Sequence, residues 1–289
     1  MKHALLITDG DLRHILWSRV LVSKIKDDMT RKYVDTFAQV SWAYPEVVHK
    51  AARFLINDIK DIHKCVPYTP QRPINRQDYS DIYDTTIPIG IHTGYHASDF
   101  LAQAAGLSGA GMLMPFQRIP GRKRGLIQIK AKVRDVLKIQ CERGIFIGLH
   151  LPKPRSIDDV SCLDVLRSIK WPSITCTVGH ADKDDILLGV RDMRGRDLPT
   201  IRRGLEACCI VIGPGEHLVT HLAAALGRRV MGIWPSQEKA INEGLWAWGS
   251  MASDYCQPQP DHVSNWLQNA LCAEGISNEK GDVQRTIFR

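Results

Sequence analysis

Four polar side chains crowd a turn and a half of chain in Glu216-His217-Leu218-Val219-Thr220-His221, directly after Gly213-Pro214-Gly215. The surrounding segment, Cys208–Pro235 (CCIVIGPGEHLVTHLAAALGRRVMGIWP), reads as strand, glycine-rich turn, helix and strand. A turn of this kind offers an anion backbone N–H groups and the positive end of a helix dipole. Gly213 and Gly215 let the backbone approach a phosphate with no Cβ in the way. A capped structural helix tolerates one such polar residue. Glu216, His217, Thr220 and His221 together favour a binding role. The dinucleotide variant of the motif fails, because its third glycine would fall at Leu218 and Trp234-Pro235 stand where an acid should follow the next strand.

The second chemical signal is Gly10-Asp11, just after the apolar run Ala4–Thr8. A carboxylate at the C-terminal edge of a strand can take a proton from an acceptor hydroxyl. The same aspartate can also serve as N-cap for a helix starting at Leu12, and both readings stand. Asp9 is the next candidate base. His92 and His96 are four apart, but Gly94 interrupts any helix, so no metal site is expected. H-E-x-x-H, G-x-S-x-G and the phosphate-loop pattern are all absent. Gly106–Gly111 (GLSGAG) follows a helical signal and reads as a helix stop. Trp234, Trp246 and Trp248 read as packing residues, with stacking on a base or sugar as the alternative.

These residues need strands and helices to hold them. Ala4–Thr8 is of strand length, Leu12–Lys26 has helical spacing, Gln39–Trp42 is a second strand and Pro45–Ile59 a second helix. Pro67–Ile82 reads as a long loop, and a helix is expected over Ser98–Ala105, with Ser98 as N-cap and Gly106 as stop. A second alternating series follows. Strands are expected at Ile145–Leu149, Ile174–Val178, Cys208–Ile212 and Arg229–Trp234. Helices are expected at Ile157–Ile169, Leu198–Ala207, Glu216–Leu226 and Asp261–Cys272. Continuous β-branched runs are what a parallel sheet buried on both faces requires. The expectation is an α/β protein with an N-terminal domain over 1–139, a C-terminal domain over 140–273 and a polar tail over 274–289.

The 289 residues suit two such domains, and 44% hydrophobic with 24% charged residues argues against wholesale disorder. The N-terminal apolar run meets Asp9 and Asp11 at once, so neither a secretory signal nor a membrane span is legible and a cytoplasmic location is expected. Eight cysteines without a C-x-x-C pair read as incidental reduced thiols. The net charge of +7 attracts anionic partners. Arg118–Arg134 holds seven Lys or Arg and no acid, so Arg122, Lys123 and Arg124 are candidates for an anionic acceptor, with a solvated basic face as the alternative.

Asp192–Pro235, with DMRG, a later Leu and GLEACCIVIGPGEHLVTHLAAALGRRVMGIWP, resembles glycosyltransferase family 9, the lipopolysaccharide heptosyltransferase family. Gly10-Asp11 is similar to the family's Gly-Asp after strand one. GLHLPKPRS at Gly148–Ser156 is similar to the loop that carries a lysine for the donor phosphates, here Lys153. The resemblance implies two Rossmann-like domains facing a cleft, the GT-B arrangement. It also implies a nucleotide sugar as substrate, no separate cofactor, and inverting transfer without an essential metal, with Asp11 as base. Donor binding is carried over to Gly10, Lys153, Gly213, Gly215, Glu216, His217, Thr220 and His221. The family's Asp-Thr-Gly is Glu216-His217-Leu218 here, while His221 matches the family histidine. The expected acceptor is a glycan or lipid-linked saccharide. Two alternatives stand beside it: a DNA-modifying glycosyltransferase acting on a hydroxylated base, and a non-catalytic sugar-nucleotide-binding module.

Overall fold

The computed structural model describes residues 2–34, 37–86, 95–116, 147–150, 175–178, 191–192, 196–208 and 210–273. The chain divides into two compact units. The first comprises Met1–Gln117 with Ile241–Glu243 and Ala247–Gly249, and the second Arg118–Ala240 with Gly244–Trp246 and Ser250–Arg289. Residues 139 and 140, the expected boundary, lie outside the described residues.

The first unit is built on a parallel sheet of β1 (Lys2–Ile7), β2 (Ala38–Pro45), β3 (Ile62–Tyr68) and β4 (Asp81–Asp84), in the order β3-β2-β1-β4. Ala4 to Ile7 are buried without alternation, as a central parallel strand requires. The helices are α1 (Leu12–Trp17), α2 (Leu21–Lys32), α3 (His49–Ile56) and α4 (Ala97–Ala104). α2 buries Leu21, Val22, Ile25 and Met29, an i, i+1, i+4, i+8 stripe.

The single helix expected over Leu12–Lys26 is two helices, joined by a tighter 3₁₀ turn at Ser18–Val20. Arg19 turns inward there and is fully buried. Its Nη1 and Nη2 donate to Asp58 at 2.7 and 2.8 Å, and it also donates to the carbonyls of Leu55, Met114 and Pro115. The guanidinium stacks 4.2 Å from the Phe116 ring. The loop expected over Pro67–Ile82 begins inside β3 and ends inside β4. α4 starts one residue earlier than expected, because the cap is His96 and not Ser98: His96 Nδ1 accepts from the Ser98 amide at 3.1 Å. Gly106, with φ +74°, ends that helix in the left-handed region.

Among the described residues the second unit holds six parallel strands: β5 (Ile147–His150), β6 (Thr175–Val178), β7 (Arg191–Asp192), β8 (Ile210–Pro214), β9 (Arg229–Trp234) and β10 (Ala252–Cys256). Their order is β10-β9-β8-β5-β6-β7. Counted within the unit and read from the β7 edge, that places strands third, second, first, fourth, fifth and sixth, the order of a doubly wound dinucleotide-binding sheet. The described helices are α5 (Leu198–Ala207), α6 (Leu218–Ala225), α7 (Gln237–Glu243), whose last three residues belong to the first unit, and α8 (Pro260–Ala273). The helix expected over Ile157–Ile169 lies outside the described residues. Among the described residues no helix is long and apolar enough to cross a membrane.

Candidate functional site

In open α/β sheets, ligands bind at the carboxyl ends of the strands where the strand order reverses. In the first unit that point lies between β1 and β4, neighbours whose connections run opposite ways. The chain leaving β1 there is Thr8-Asp9-Gly10-Asp11, and the chain leaving β4 is Thr85-Thr86. Thr8 is anchored: its amide donates to Ala43 O at 3.0 Å, and its Oγ1 accepts from Trp42 Nε1 at 2.9 Å. Asp84 closes the other side, accepting from Arg76 Nη2 at 2.8 Å and Thr86 Oγ1 at 2.6 Å.

Asp11 holds two roles at once. Its Oδ1 accepts from the Arg13 amide at 2.8 Å, so it caps α1. Its Oδ2 lies 3.3 Å from Arg13 Nη2 and 3.9 Å from His14 Nε2. Asp9 supports both neighbours: Oδ1 accepts from the Asp11 amide at 3.1 Å, and Oδ2 lies 2.8 Å from His14 Nδ1. Arg13 also donates to Glu243 at 2.6 Å. Burial works against the Asp11 carboxylate, but the charges of Arg13 and His14 and the Arg13 hydrogen bonds outweigh it, so its pKa sits below the ordinary aspartate value. Asp11 is therefore ionised at neutral pH, as a proton acceptor must be. A Cβ on Gly10 would meet only Pro45 and Val48, at 3.8 and 3.9 Å. Packing alone does not demand a glycine there.

In the second unit the order reverses between β5 and β8, and Gly215-Glu216-His217 follows β8 at that edge. The two glycines here do not act through open backbone. Gly213 lies inside β8, paired with Gly232, and the Gly215 amide donates to Ile233 O at 2.8 Å. A Cβ on Gly215 would sit 2.1 Å from the Trp234 indole, so this glycine is required by the close approach of that ring. Trp234 is fully buried, and its Nε1 donates to Asp254 at 2.6 Å. Asp254 also accepts from the Leu245 and Trp246 amides, both at 2.9 Å. Thr220 and His221 are fully buried: Thr220 donates back to Pro214 O at 2.7 Å, and His221 meets Trp234 edge-on with ring centroids 6.3 Å apart. They brace the turn from behind. Glu216 and His217 stand half-buried in front of it, Glu216 in an ion pair with Lys239 and His217 as N-cap of α6. The groups the turn presents are thus Glu216, His217 and the Leu218 and Val219 amides at the start of α6, the Thr220 amide being bonded to His217 O at 3.1 Å. Lys153, Arg122, Lys123, Arg124 and His92 lie outside the described residues.

The indole contact yields a direct prediction. Gly215→Ala must displace Trp234 or the turn, and overpacking of this kind costs about 1–3 kcal/mol. Urea unfolding should show the loss, and an unchanged midpoint would mean that the ring gives way freely.

Sequence reasoning found Asp11 but missed its retinue. The i, i+3 spacing of Asp11 and His14 along the start of α1 puts the two side chains on one face, a signal that was legible. Glu243 stands 230 residues from Arg13, and no local pattern could have joined them.

No protein-family model matches the sequence, and no curated protein matches it closely. Solved structures do match over nearly the whole length. One is the glycosyl transferase family 9 protein from Veillonella parvula, with TM-score 0.60 and 9% identity over 94% of this chain and 98% of that one. This chain shares the fold of that structure. Another is the E. coli heptosyltransferase WaaC with ADP-2-deoxy-2-fluoro heptose, with TM-score 0.50 and 11% identity over 92% and 99% of the two chains. At such identities the likeness fixes the fold, and the chemistry must be argued from this chain's own residues. Within the family 9 fold, both switch points carry the polar groups described above.

Proposed function

We propose that the protein is a glycosyltransferase that moves a sugar from a nucleotide-sugar donor to an acceptor hydroxyl, with inversion and without a metal. One observation carries the reading: an ionised carboxylate, Asp11, stands at the switch point of the first sheet in a chain whose fold is that of family 9 along 94% of its length. The donor diphosphate lies against the first turn of α6, with Glu216 and His217 beside it and Thr220 and His221 bracing the turn. Lys153, assigned through the family resemblance, neutralises the leaving diphosphate. Asp11 takes the proton of the acceptor hydroxyl as the new bond forms. Donor and acceptor must react in one complex, so the reading includes the two-domain cleft that the resemblance implies. The acceptor is a glycan or lipid-linked saccharide, and the reaction takes place in the cytoplasm.

A thermal-shift panel of nucleoside diphosphates and nucleotide sugars tests the donor. A ligand that binds only the folded protein stabilises it by about 2.7 kcal/mol at 100 times its Kd. At least one member of the panel should raise the melting temperature, and Glu216→Gln should shrink the shift. A complex with the nucleotide held solely by residues 1–130 would sink the assignment of the donor to the second unit.

Because fixed N–H dipoles and Lys153 supply the charge stabilisation in this reading, turnover should survive EDTA. Loss of turnover in chelator, restored by Mg²⁺ or Mn²⁺, would refute the metal-free mechanism.

A further inference from the structure

We propose that His14 is a second proton station behind Asp11, taking over the proton that Asp11 removes from the acceptor, with Asp9 fixing its ring. The proposal rests on the reading of Asp11 as the general base.

Geometry carries it. His14 Nδ1 is 2.8 Å from Asp9 Oδ2. A carboxylate only accepts, so Nδ1 bears the hydrogen and Nε2 of the neutral ring bears the lone pair. That Nε2 faces Asp11 Oδ2 at 3.9 Å, while the other oxygen of Asp11 is engaged in capping α1. One water, or a small torsion of either side chain, brings the pair to hydrogen-bond range. Asp9 holds both members, since its second oxygen accepts from the Asp11 amide. A mere cap needs neither a second carboxylate behind it nor an imidazole beside it.

The proton has a direction to run. Burial of the ring disfavours its charged form, but the Asp9 hydrogen bond and the charges of Asp11 and Asp9 outweigh that and raise His14 above the ordinary histidine value. Asp11 is held low, so it is a poor resting place for a proton. The other groups near the ring are Arg13, which opposes its charge, and Trp17 at 5.5 Å. Glu243 reaches the site only through Arg13, and His96 lies beyond Trp17. The acceptor O–H bond breaks as its oxygen bonds the anomeric carbon, and the diphosphate leaves with the electron pair of the old bond. The proton passes to Asp11 Oδ2 and then to His14 Nε2, where Asp9 stabilises the imidazolium until water or the released diphosphate takes the proton.

The first test needs no substrate. In histidine-labelled protein followed by NMR, the His14 ring should carry its proton on Nδ1 when neutral. Its midpoint should fall in both Asp9→Asn and Asp11→Asn, with the melting temperature of each confirming the fold. A His14 titration indifferent to Asp11→Asn overturns the proposal. The second test follows the pH dependence of donor hydrolysis, with water as acceptor, using whichever of UDP-glucose, ADP-glucose and GDP-mannose gives the largest thermal shift. Wild-type turnover should fall as pH drops through the His14 midpoint, because a protonated ring can receive nothing. His14→Gln should lose that acid limb, and at pH 8 it should be slowed by less than the roughly 10²-fold that loss of a direct base costs. If His14 only paired its charge with Asp11, wild-type turnover would hold or rise over the same range, and that result also overturns the proposal. Failure of the underlying reading looks different: Asp11→Asn would keep full turnover. An inactive Asp11→Asn with an unmoved His14 titration removes the relay alone.

Discussion

Asp11→Asn should slow transfer by a factor on the order of 10²–10⁴ while leaving the melting temperature nearly unchanged. The two halves of that result come from the two oxygens of one side chain. Oδ1 caps α1 by accepting from the Arg13 amide, and asparagine caps a helix about as well as aspartate. Oδ2 faces Arg13 and His14, and an amide in its place cannot take a proton. A rate within a few-fold of wild type would reduce Asp11 to a cap and move the base to Asp9. Stability gives a second handle. The native pKa of Asp11 is lowered, so its ionic contribution is present above the ordinary aspartate value and is lost as pH falls through the lowered one. Any stability gap between wild type and Asp11→Asn should therefore narrow in acid.

Arg19→Met should be the most destabilising single change in the first unit. Arg19 is fully buried, and methionine fills similar volume, so the effect reports the lost charge and hydrogen bonds rather than a cavity. The substitution strips Asp58 of its two-point partner and removes the donor shared by the Leu55, Met114 and Pro115 carbonyls. Breaking a buried ion pair from one side costs about 3–5 kcal/mol. At about 2–4 °C per kcal/mol, the melting temperature should drop by on the order of 10 °C. Adding Asp58→Leu should restore much of it, because a buried pair replaced as a whole by apolar groups is often neutral. A loss below about 1 kcal/mol in Arg19→Met would show that the pair is effectively solvated.

How much of this was legible follows from burial. Strands β1, β8 and β9 are central in their sheets, so both faces demand apolar residues and ALLI, IVI and RVMGIW announce themselves. β3 and β10 are edge strands. Their half-exposed faces admit Lys64, Pro67 and Ser253, and β10 also carries Asp254 as acceptor for the Trp234 indole, which together erase the signal. α5, with its Asp197 cap, was found with its bounds intact, because amphipathic spacing and a cap agree there. The break at Arg19 was hidden, since an arginine in a helical pattern reads as solvated until its buried partner is known. In the site, Asp11 and the glycine-rich turn were visible as types. The role of Gly215 was not, because the ring that demands it lies on the next strand.

The composition of the first unit has a consequence for how the protein is made. Arg13 donates to Glu243, and the Leu113 amide donates to Ala247 O at 2.9 Å, so Ile241–Glu243 and Ala247–Gly249 complete a unit that otherwise ends at Gln117. A ribosome delivers those residues more than a hundred codons after the rest of the unit. The nascent N-terminal sheet must therefore wait, incomplete around Arg13, while the second unit is synthesised. The loop that carries Asp11 acquires its full set of contacts only after Glu243 has left the ribosome.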